Sequence, residues 1–336
     1  MIWYEETTND DIIVSTRVRL ARNLEKYPFP NSMTKEQLSD ATKEIEAGIF
    51  DSNPTLSKIF KTYHIDKTTD VEKKMLFEKH LISPDLLKKP DSAVMISNDD
   101  KMSIMLMEED HIRLQVILGG FNLDEAYELA NKVDDVIDEH IKYAFDDDFG
   151  YLTSCPTNTG TGLRASVMMH LPALTITNNI SRIISSAGNL GIAVRGLYGE
   201  GSKAYGNLYQ ISNQITLGLS ELEIIEKVKN IVNQIKDLEK DARDKLIKTN
   251  KDYLEDKFFR ALGTLKYARS MTSSEAKTLI SDVIMAKNMG IIDDISENLF
   301  KLMIMTEPAV IEHKAGKPLS PEERDKERAK YLRETL

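Results

Sequence analysis

Cysteine is almost absent from this chain of 336 residues, since Cys155 is the only one. No disulfide can form within the chain, which is typical of a protein from a reducing compartment. No apolar run approaches the roughly 20 residues that a membrane-spanning helix needs. The first residues also lack the basic and apolar segments of a signal peptide. We therefore expect a cytoplasmic protein that does not interact with a membrane.

Positive charge is scarce as well. The 44 lysines and arginines are outnumbered by 54 aspartates and glutamates, which gives a formal net charge of −10. Such an acidic protein is poorly suited to direct binding of nucleic acid, so any cluster of arginines must have a local function. Hydrophobic residues make up 41% of the chain, which is enough for a core. The length favours one large and one smaller domain.

The pattern of apolar residues changes near residue 245. Before it, short apolar runs separated by turn signals predict an antiparallel meander. These runs lie at 93–96, 102–107 and 112–118, and further strand-like runs lie at 191–195 and 208–216. Helical spacing predicts helices over 34–63 and 221–240, and a third helix with Asn122 as its N-cap.

After residue 245 only helical patterns remain. Two of the predicted helices begin at capping-box sequences, with Thr272 and Ser320 as the caps. The predicted positions are 254–265, 272–290, 294–305 and a last helix after Ser320. We therefore predict an α+β fold for residues 1–245, with an antiparallel sheet flanked by helices, followed by a small all-helical domain over 246–336.

The segment Ser15–Arg22 is rich in arginine. Arg17 and Arg19 alternate across Val18, so in an extended chain both guanidinium groups point to the same side. Two permanently charged forks side by side suit a polyphosphate. The alternative is a solvated edge strand.

Three consecutive acids, Glu108–Asp110, lie between two apolar runs. A carboxylate at a strand end can hold a cationic substrate or take its proton. The alternative is a charged hairpin tip. A metal site is not indicated, because no second cluster of acids and histidines completes one.

Glycine, serine and threonine are concentrated between Cys155 and Arg164. Backbone N–H groups of such a loop can bind phosphate oxygens, although the ending of a Walker A loop is missing. We expect Arg164 to begin a helix over 164–170. A lone cysteine is more often an inert buried residue than a nucleophile.

A second glycine-containing loop, 195–202, carries Glu200 and could close over a bound substrate; the alternative is a surface loop with a stray charge. Together with Glu109, this loop completes a pattern of carboxylates and arginines at strand ends and loops. The five arginines are Arg17, Arg19, Arg113, Arg164 and Arg195. Phosphoryl transfer needs charge neutralisation and positioning more than covalent chemistry, so the pattern indicates a phosphotransferase with a cationic acceptor.

The same segments resemble the phosphagen (guanidino) kinases. The matching motifs, in the order of that family, are Ser-Thr-Arg-Val-Arg, Glu-Glu-Asp-His-Ile-Arg, Cys-Pro-Thr-Asn-Thr-Gly-Thr-Gly-Leu-Arg-Ala-Ser-Val, Arg-Gly-Leu-Tyr-Gly-Glu and Ile-Ser-Asn-Gln. The resemblance covers about residues 11–245. It implies a phosphagen-kinase catalytic domain that transfers the γ-phosphoryl group of ATP to a guanidinium nitrogen, with Mg²⁺ held mainly by phosphates and water.

The resemblance also implies a role for each matching residue. Glu109 and Glu200 would be the catalytic carboxylates that hold the guanidinium group, with Glu109 also as base, and Cys155 would tune the substrate electrostatically. No protein ligand for a metal is implied. The residues expected to contact ATP are Ser15, Thr16, Arg17, Val18, Arg19, His80, Arg113, Arg164, Ala165, Ser166, Val167, Met168, Arg195, Gly196, Leu197, Tyr198 and Gly199. Gln210 departs from the family, because many relatives have an acidic residue there.

Two features are similar to the bacterial protein arginine kinases, the McsB group. The helical N-terminal domain of the small-molecule members does not precede these motifs, and a helical region follows them. The segment Arg324–Ala329 is similar to the Arg-Asp-x-x-Arg-Ala motif of that group, which implies a phosphoarginine pocket formed by Arg324, Asp325, Arg328 and Ala329. Arginines four apart on a helix could clamp a phosphate. From spacing alone, a solvated charged helix end is the alternative.

The resemblance therefore implies a protein arginine kinase. Its phosphorylated substrates would be marked for a Clp ATPase and protease, and a heat-shock repressor would be inactivated. A zinc-containing activator protein and a homodimer are also implied. One alternative is a kinase for a small guanidino compound such as free arginine. Another is a phosphoarginine-binding adapter with a weak kinase domain, against which the retained set of arginines and carboxylates argues.

Overall fold

The computed structural model describes residues 2–6, 10–50, 54–196, 205–293 and 295–336. The chain divides into two compact units. The first comprises Met1–Glu6, Ser15–Ser166 and Ser212–Lys229, and the second comprises Thr7–Val14, Val167–Ile211 and Asn230–Leu336. The strands are β1 (Ile13–Arg22), β2 (Phe60–His64), β3 (Ala93–Ser97), β4 (Met102–Leu106), β5 (Ile112–Gly119), β6 (Phe145–Asp146), β7 (Gly150–Tyr151), β8 (Leu163–His170), β9 (Ile192–Gly196) and β10 (Leu208–Asn213). The helices are α1 (Lys35–Phe50), α2 (Pro54–Ile59), α3 (Asp70–Glu78), α4 (Leu123–Asp138), α5 (Pro172–Ile176), α6 (Ile180–Asn189), α7 (Glu221–Tyr267), α8 (Ser273–Asn288), α9 (Leu299–Met305), α10 (Pro308–Ala315) and α11 (Pro321–Thr335).

The first unit is built on a sheet in which the strands follow the order β2-β3-β4-β5-β1-β8. Strand β1 pairs antiparallel with β5, with Arg17 opposite Ile117 and Ala21 opposite Arg113. Directly opposite residues lie on the same face of a sheet, and side chains alternate along a strand. This register therefore places Arg17, Arg19 and Arg113 on one face.

One hydrophobic cluster of the first unit lies where α3 and its flanking turns cover β3 and β4. The cluster comprises Ile65, Leu76, Leu81, Ile82, Leu86, Val94, Ile96 and Met105, all buried. All five residues of β3 are buried, which is typical of a strand covered on both faces. Helix α3 begins at Thr69, whose hydroxyl forms a capping box with Glu72, so the sequence fixes where this cover starts.

The second unit contains the strand order β8-β10-β9 and the C-terminal helices. Helix α8 is buried along most of its length, including Ile280, Val283 and Ile284. Its N-cap, Thr272, accepts a hydrogen bond from the Glu275 N–H. Helix α11 begins with the predicted capping box at Ser320. The α+β class with a helical C-terminal region is thus confirmed.

The antiparallel meander is also confirmed, because β3 pairs antiparallel with β4 and β4 with β5. Strand β1 lies between β5 and β8, so the alternative of a solvated edge strand for Arg17 and Arg19 is wrong. The predicted domain boundary at residue 245 falls inside α7, and the division into those two domains stays a prediction.

Several predicted elements were wrong. The helix over 34–63 is two helices followed by β2, because Phe60–His64 pairs with β3 and pairing in a sheet overrides helix propensity. The expected helix at 164–170 is β8 for the same reason. Asn122 is the N-cap residue of α4, as predicted, but its side chain makes no capping hydrogen bond and its amide donates to the Gly119 carbonyl at 2.6 Å. The helix expected over 294–305 is the shorter α9. The two helices predicted at 221–240 and 254–265 are confirmed, because they lie on either side of Asn250, where α7 departs from helical geometry.

None of the helices in the described part of the chain combines the length and the apolar character that crossing a membrane requires.

Candidate active site

Arginines of like charge are crowded on the sheet of the first unit. Burial, together with the charges of Arg113 and Arg164, lowers the pKa of Arg17 to about 9. The pKa of Arg19 is also lowered, well below its ordinary value, first by burial and then by the charges of Arg17, Arg113 and Arg164. Among the described residues, the buried Nε of Arg19 has no hydrogen-bond partner. Guanidinium groups rarely lose their proton, so this cluster is suited to receive a polyanion.

Glu108 is the counter-ion of Arg113 within this cluster. Its two carboxylate oxygens accept hydrogen bonds from Arg113 Nη1 at 2.8 and 2.9 Å, and it also accepts from the Ser83 hydroxyl. Burial works to raise the pKa of Glu108, but the charge of Arg113 and these bonds outweigh it, so the pKa is lowered. Burial also disfavours the charged form of Arg113, but the neighbouring Glu108 outweighs this effect, so the pKa of Arg113 is raised. A carboxylate held ionised in this way fixes an arginine and is unsuited to accept a proton.

Glu109, the predicted catalytic base, has the opposite electrostatics. Its pKa is raised, first by burial and then by the neighbouring charge of Asp110. The side chain is partly exposed, and its Oε2 lies 3.5 Å from the amide nitrogen of Asn158. A carboxylate with a raised pKa near solvent is suited to accept a proton from a bound substrate.

Asp110 connects the acid-bearing loop to the loop that carries Cys155. Its Oδ1 accepts the Ser154 N–H at 2.7 Å and the Asn23 amide at 2.7 Å. Burial raises the pKa of Asp110 although both of these bonds oppose it. Cys155 is partly exposed, and its Sγ lies 3.0 Å from the Thr157 hydroxyl. The structure therefore brings Glu109 and Cys155 into neighbouring, hydrogen-bonded segments.

His111 supports the same loop from its buried side. Its Nδ1 accepts the Leu24 N–H at 3.0 Å, and its Nε2 donates to the Pro28 carbonyl at 3.0 Å. This pattern fits the neutral ring with its hydrogen on Nε2. Burial lowers the pKa of His111 to about 4, although the bond to Pro28 opposes this change.

The remaining predicted ATP contacts of the first unit lie along β1 and β8. The side chains of Thr16 and Val18 are fully buried, and the Thr16 hydroxyl donates to the Gly120 carbonyl at 2.7 Å. Ser15 is also buried. On β8, Arg164 Nη2 donates to the Ser212 hydroxyl at 3.2 Å and the Ala165 N–H donates to Asn213 at 2.8 Å, while the Ser166 hydroxyl donates to the Arg17 carbonyl.

His80 has a backbone conformation that is uncommon for a residue other than glycine, with φ 62°. Its carbonyl accepts the Gln115 amide at 2.8 Å, and its ring lies 6.0 Å from that of Trp3. Gln115 is opposite Arg19 across β1 and β5. His80 is therefore connected by hydrogen bond to the face of the sheet that bears the arginines.

The other predicted site residues belong to the second unit or lie outside the described residues. Val167 and Met168 continue β8, and Arg195 and Gly196 end β9. Leu197, Tyr198, Gly199 and the predicted catalytic Glu200 lie outside the residues that the structure describes.

The C-terminal arginines of the predicted phosphoarginine pocket differ in their surroundings. Arg328 is 1% exposed and donates to the carbonyls of Thr306 at 2.6 Å and Met271 at 2.8 Å, and to Asp325 at 2.6 Å. Arg324 is more exposed and donates to Glu312 at 3.1 Å. Ala329 is buried beside them. In this state Arg328 joins α11 to two neighbouring segments, and binding of phosphoarginine here stays a prediction.

Sequence reasoning missed two residues that organise the site. Glu108 was grouped with its neighbours as an acid, although a strand-end arginine five residues later could have suggested their pairing. Asn23, which bonds to the acid-bearing loop, gave no signal at all. Within the described part of the chain, no group of three or more His, Cys, Asp or Glu side chains could hold a metal ion.

Families of known proteins match both the N-terminal and the C-terminal parts of the chain. The profile of the ATP:guanido phosphotransferase C-terminal catalytic domain matches residues 41–242, and that of the protein-arginine kinase McsB C-terminal domain matches residues 251–336. The protein-arginine kinase of Caldanaerobacter subterraneus is 47% identical, with 96% of each chain covered. That of Bacillus subtilis is 46% identical over 97% of this chain and 90% of its own.

The chain belongs to the protein-arginine kinase family.

Family membership makes it an ATP:guanido phosphotransferase. The protein-arginine kinase of Brevibacillus brevis is 45% identical over 98% of this chain and 93% of its own. Among solved structures, a lombricine kinase aligns with a TM-score of 0.61 at 25% identity, covering 71% of this chain and 69% of that one. The phosphagen-kinase fold is therefore shared with this solved structure.

Proposed function

We propose that this protein-arginine kinase transfers the γ-phosphoryl group of ATP to arginine side chains of other proteins. The observation that carries the proposal is the crowded arginine cluster, in which the pKa of Arg17 is lowered to about 9. Repulsion between positive charges is relieved when a triphosphate binds, and the donors are already in place. Glu109, with its raised pKa, lies in the loop that precedes Arg113.

The reaction requires a nitrogen of the acceptor guanidinium group to attack the γ-phosphorus. A P–N bond forms, and the bond to the β–γ bridging oxygen breaks, with its electron pair leaving on ADP. The proton released from the nitrogen passes to the Glu109 carboxylate. Arg17, Arg19 and Arg113 offset the charge of the phosphates. Mg²⁺ would be held by phosphate oxygens and water, which is its common mode of binding.

The acceptor and the cellular role rest on the relatives. The relatives are named protein-arginine kinases, which supports a protein arginine as the acceptor. We further propose that the modified proteins are marked for a Clp ATPase and protease, that a heat-shock repressor is inactivated, and that a zinc-containing activator and homodimer formation support activity in the cytoplasm. The C-terminal Arg324–Ala329 motif would bind phosphoarginine.

The test compares two acceptors, unfolded casein and free arginine, each with Mg-ATP. Phosphoarginine is measured by mass spectrometry under non-acidic conditions, because the P–N bond is labile in acid. The inactive variant is Glu109→Gln, and the matched control is Glu139→Gln, an exposed glutamate at the end of α4. We expect labelled casein with the wild type and the control, and none with Glu109→Gln.

Labelling of free arginine alone would instead identify a small-molecule guanidino kinase. Labelling of neither acceptor, with phosphoarginine still bound by the protein, would identify a binding adapter. Labelling of casein by Glu109→Gln at the wild-type rate would remove this residue from the chemistry.

A further inference from the structure

One buried amide connects the two segments that carry the predicted catalytic residues. Asn23 follows β1 and is 1% exposed. Its Nδ2 donates to Asp110 Oδ1 at 2.7 Å and to the Leu152 carbonyl at 3.0 Å. Its Oδ1 accepts the His111 N–H at 2.9 Å. Both amide hydrogens and the amide oxygen are thus engaged, and each bond reaches one of two loops.

The residues bonded to Asn23 are close in sequence to the reacting positions. Asp110 and His111 directly follow Glu109. Leu152 is three residues before Cys155, and the Asp110 oxygen that Asn23 contacts also accepts the N–H of Ser154 at 2.7 Å. Hydrogen bonds that meet at Asn23 and Asp110 therefore join the segment of Glu109 to the segment of Cys155.

The backbone of Asn23 is itself held in place. Its carbonyl accepts the Ala144 N–H at 2.7 Å. The preceding residue, Arg22, forms a buried ion pair with Asp134, with Nη2 and Oδ2 2.7 Å apart. The following N–H, of Leu24, donates to the His111 ring. An amide on such a fixed support can orient a flexible loop, whereas an amide on a mobile one cannot.

We infer that Asn23 is a positioning residue that sets the separation of Glu109 and Cys155 for phosphoryl transfer. Its side-chain hydrogen bonds go to Asp110, His111 and Leu152, so it acts through the two loops that it joins. Misplacement of reacting groups by about 1 Å can reduce a rate by roughly 100-fold. The inference rests on the proposed function, but one of its tests below does not require activity.

The first variant is Asn23→Asp, which has nearly the same shape. It places a second carboxylate against Asp110, and two buried carboxylates at this distance cannot both be ionised. It also leaves the Leu152 carbonyl without its donor. We expect kcat to fall by about 10- to 100-fold. The KM for ATP should stay within about twofold, because the arginine cluster is not contacted.

The second variant exchanges the two side chains, as Asn23→Asp combined with Asp110→Asn. The amide nitrogen at position 110 can then donate to the carboxylate at position 23, which removes the repulsion between two carboxylates. Because Asn23 and Ser154 contact the same Asp110 oxygen, the Ser154 N–H loses its acceptor and the Leu152 carbonyl loses its donor. We expect this double variant to be about tenfold faster than Asn23→Asp alone, since residues that share a hydrogen bond are not additive.

A chemical readout separates positioning from activity. Cys155 is the single cysteine, so its alkylation rate with iodoacetamide reports on one thiol and its surroundings. We expect a changed rate in Asn23→Asp and a return toward the wild-type rate in the double variant. The stability control is Asn288→Ala, which removes an amide bond of 2.8 Å to the Asp11 carbonyl in the second unit and should alter neither kcat nor the alkylation rate.

The inference is overturned if the double variant is no faster than Asn23→Asp, or if Asn23→Asp lowers the melting temperature while kcat and alkylation match the wild type. An inactive wild-type protein would count against the proposed function, and the alkylation rates would still decide whether Asn23 positions the Cys155 loop.

Discussion

Protonation of His111 should make the stability of this kinase depend on pH in a defined window. The ring has its ordinary pKa of 6.5 in the unfolded chain, and burial lowers the pKa to about 4 in the folded protein. Between these values the unfolded chain binds one more proton, so stability rises with pH. The contribution is fully present above about pH 6.5 and is lost as the pH falls toward 4.

The magnitude follows from the two pKa values. One pKa unit corresponds to about 1.4 kcal/mol, so the neutral ring stabilises the fold by about 3 kcal/mol when the whole window is crossed. Between pH 7 and pH 5 about 2 kcal/mol of this is lost. The structural cause is that a second ring hydrogen, on Nδ1, would face the Leu24 N–H, which already donates to that atom.

The assay is urea unfolding of the wild type and His111→Gln at pH 7 and pH 5. Glutamine does not titrate, and its amide offers one acceptor and a donor in place of the two ring nitrogens. The difference in unfolding free energy between the two pH values should be smaller by about 2 kcal/mol in the variant. The control, His140→Gln, changes an exposed histidine on the surface and should keep the wild-type difference. Equal pH dependence in His111→Gln and the wild type would refute the reasoning.

Three further outcomes are expected. Because the pKa of Glu109 is raised, kcat/KM should fall as the pH decreases through a value above the ordinary glutamate pKa of about 4.3; a wild-type rate profile without this limb would contradict the assignment. Arg19→Met should raise the KM for ATP about 10- to 100-fold through loss of charged hydrogen bonds, yet raise the melting temperature without ATP, since it removes like-charge repulsion; a lower melting temperature would count against the repulsion. Arg328→Ala should cost about 3 kcal/mol in urea unfolding, because a fully buried guanidinium group leaves two carbonyls and Asp325 unpaired; a loss below about 1 kcal/mol would show that these bonds contribute little.

Local sequence signals predicted much of the fold. The apolar runs of the meander, the capping boxes and the α+β class are read from short segments, since strand alternation and cap chemistry depend on neighbouring residues. Leu163–His170 was misjudged because its residues favour a helix in isolation, and only pairing within the sheet makes it β8. Phe60–His64 became β2 in the same way, by pairing with β3.

Site residues could be predicted where the sequence pattern of charged residues indicates their role. They could not be predicted where the role depends on which residues meet in the folded chain. Arg17 and Arg19 could be identified from their alternation. The distinct roles of Glu108 and Glu109 could not, because they follow from which carboxylate reaches Arg113 and which is left beside Asp110. Asn23 carries no charge, and its importance depends on partners 87 and 129 residues away in the chain.

The crowding of arginines on β1 has a consequence for how the protein behaves in different buffers. A folded state that contains unrelieved repulsion gains stability from any polyanion that it binds, by about 2.7 kcal/mol at a hundred times the dissociation constant. Phosphate or sulfate should therefore protect the enzyme from heat and, by occupying the same arginines, slow its reaction with ATP. Thermal shift and inhibition would then rank a series of anions in the same order, so that a melting curve becomes a measure of nucleotide-site occupancy. In a cell short of ATP, the same relation would leave the enzyme closer to its unfolding transition.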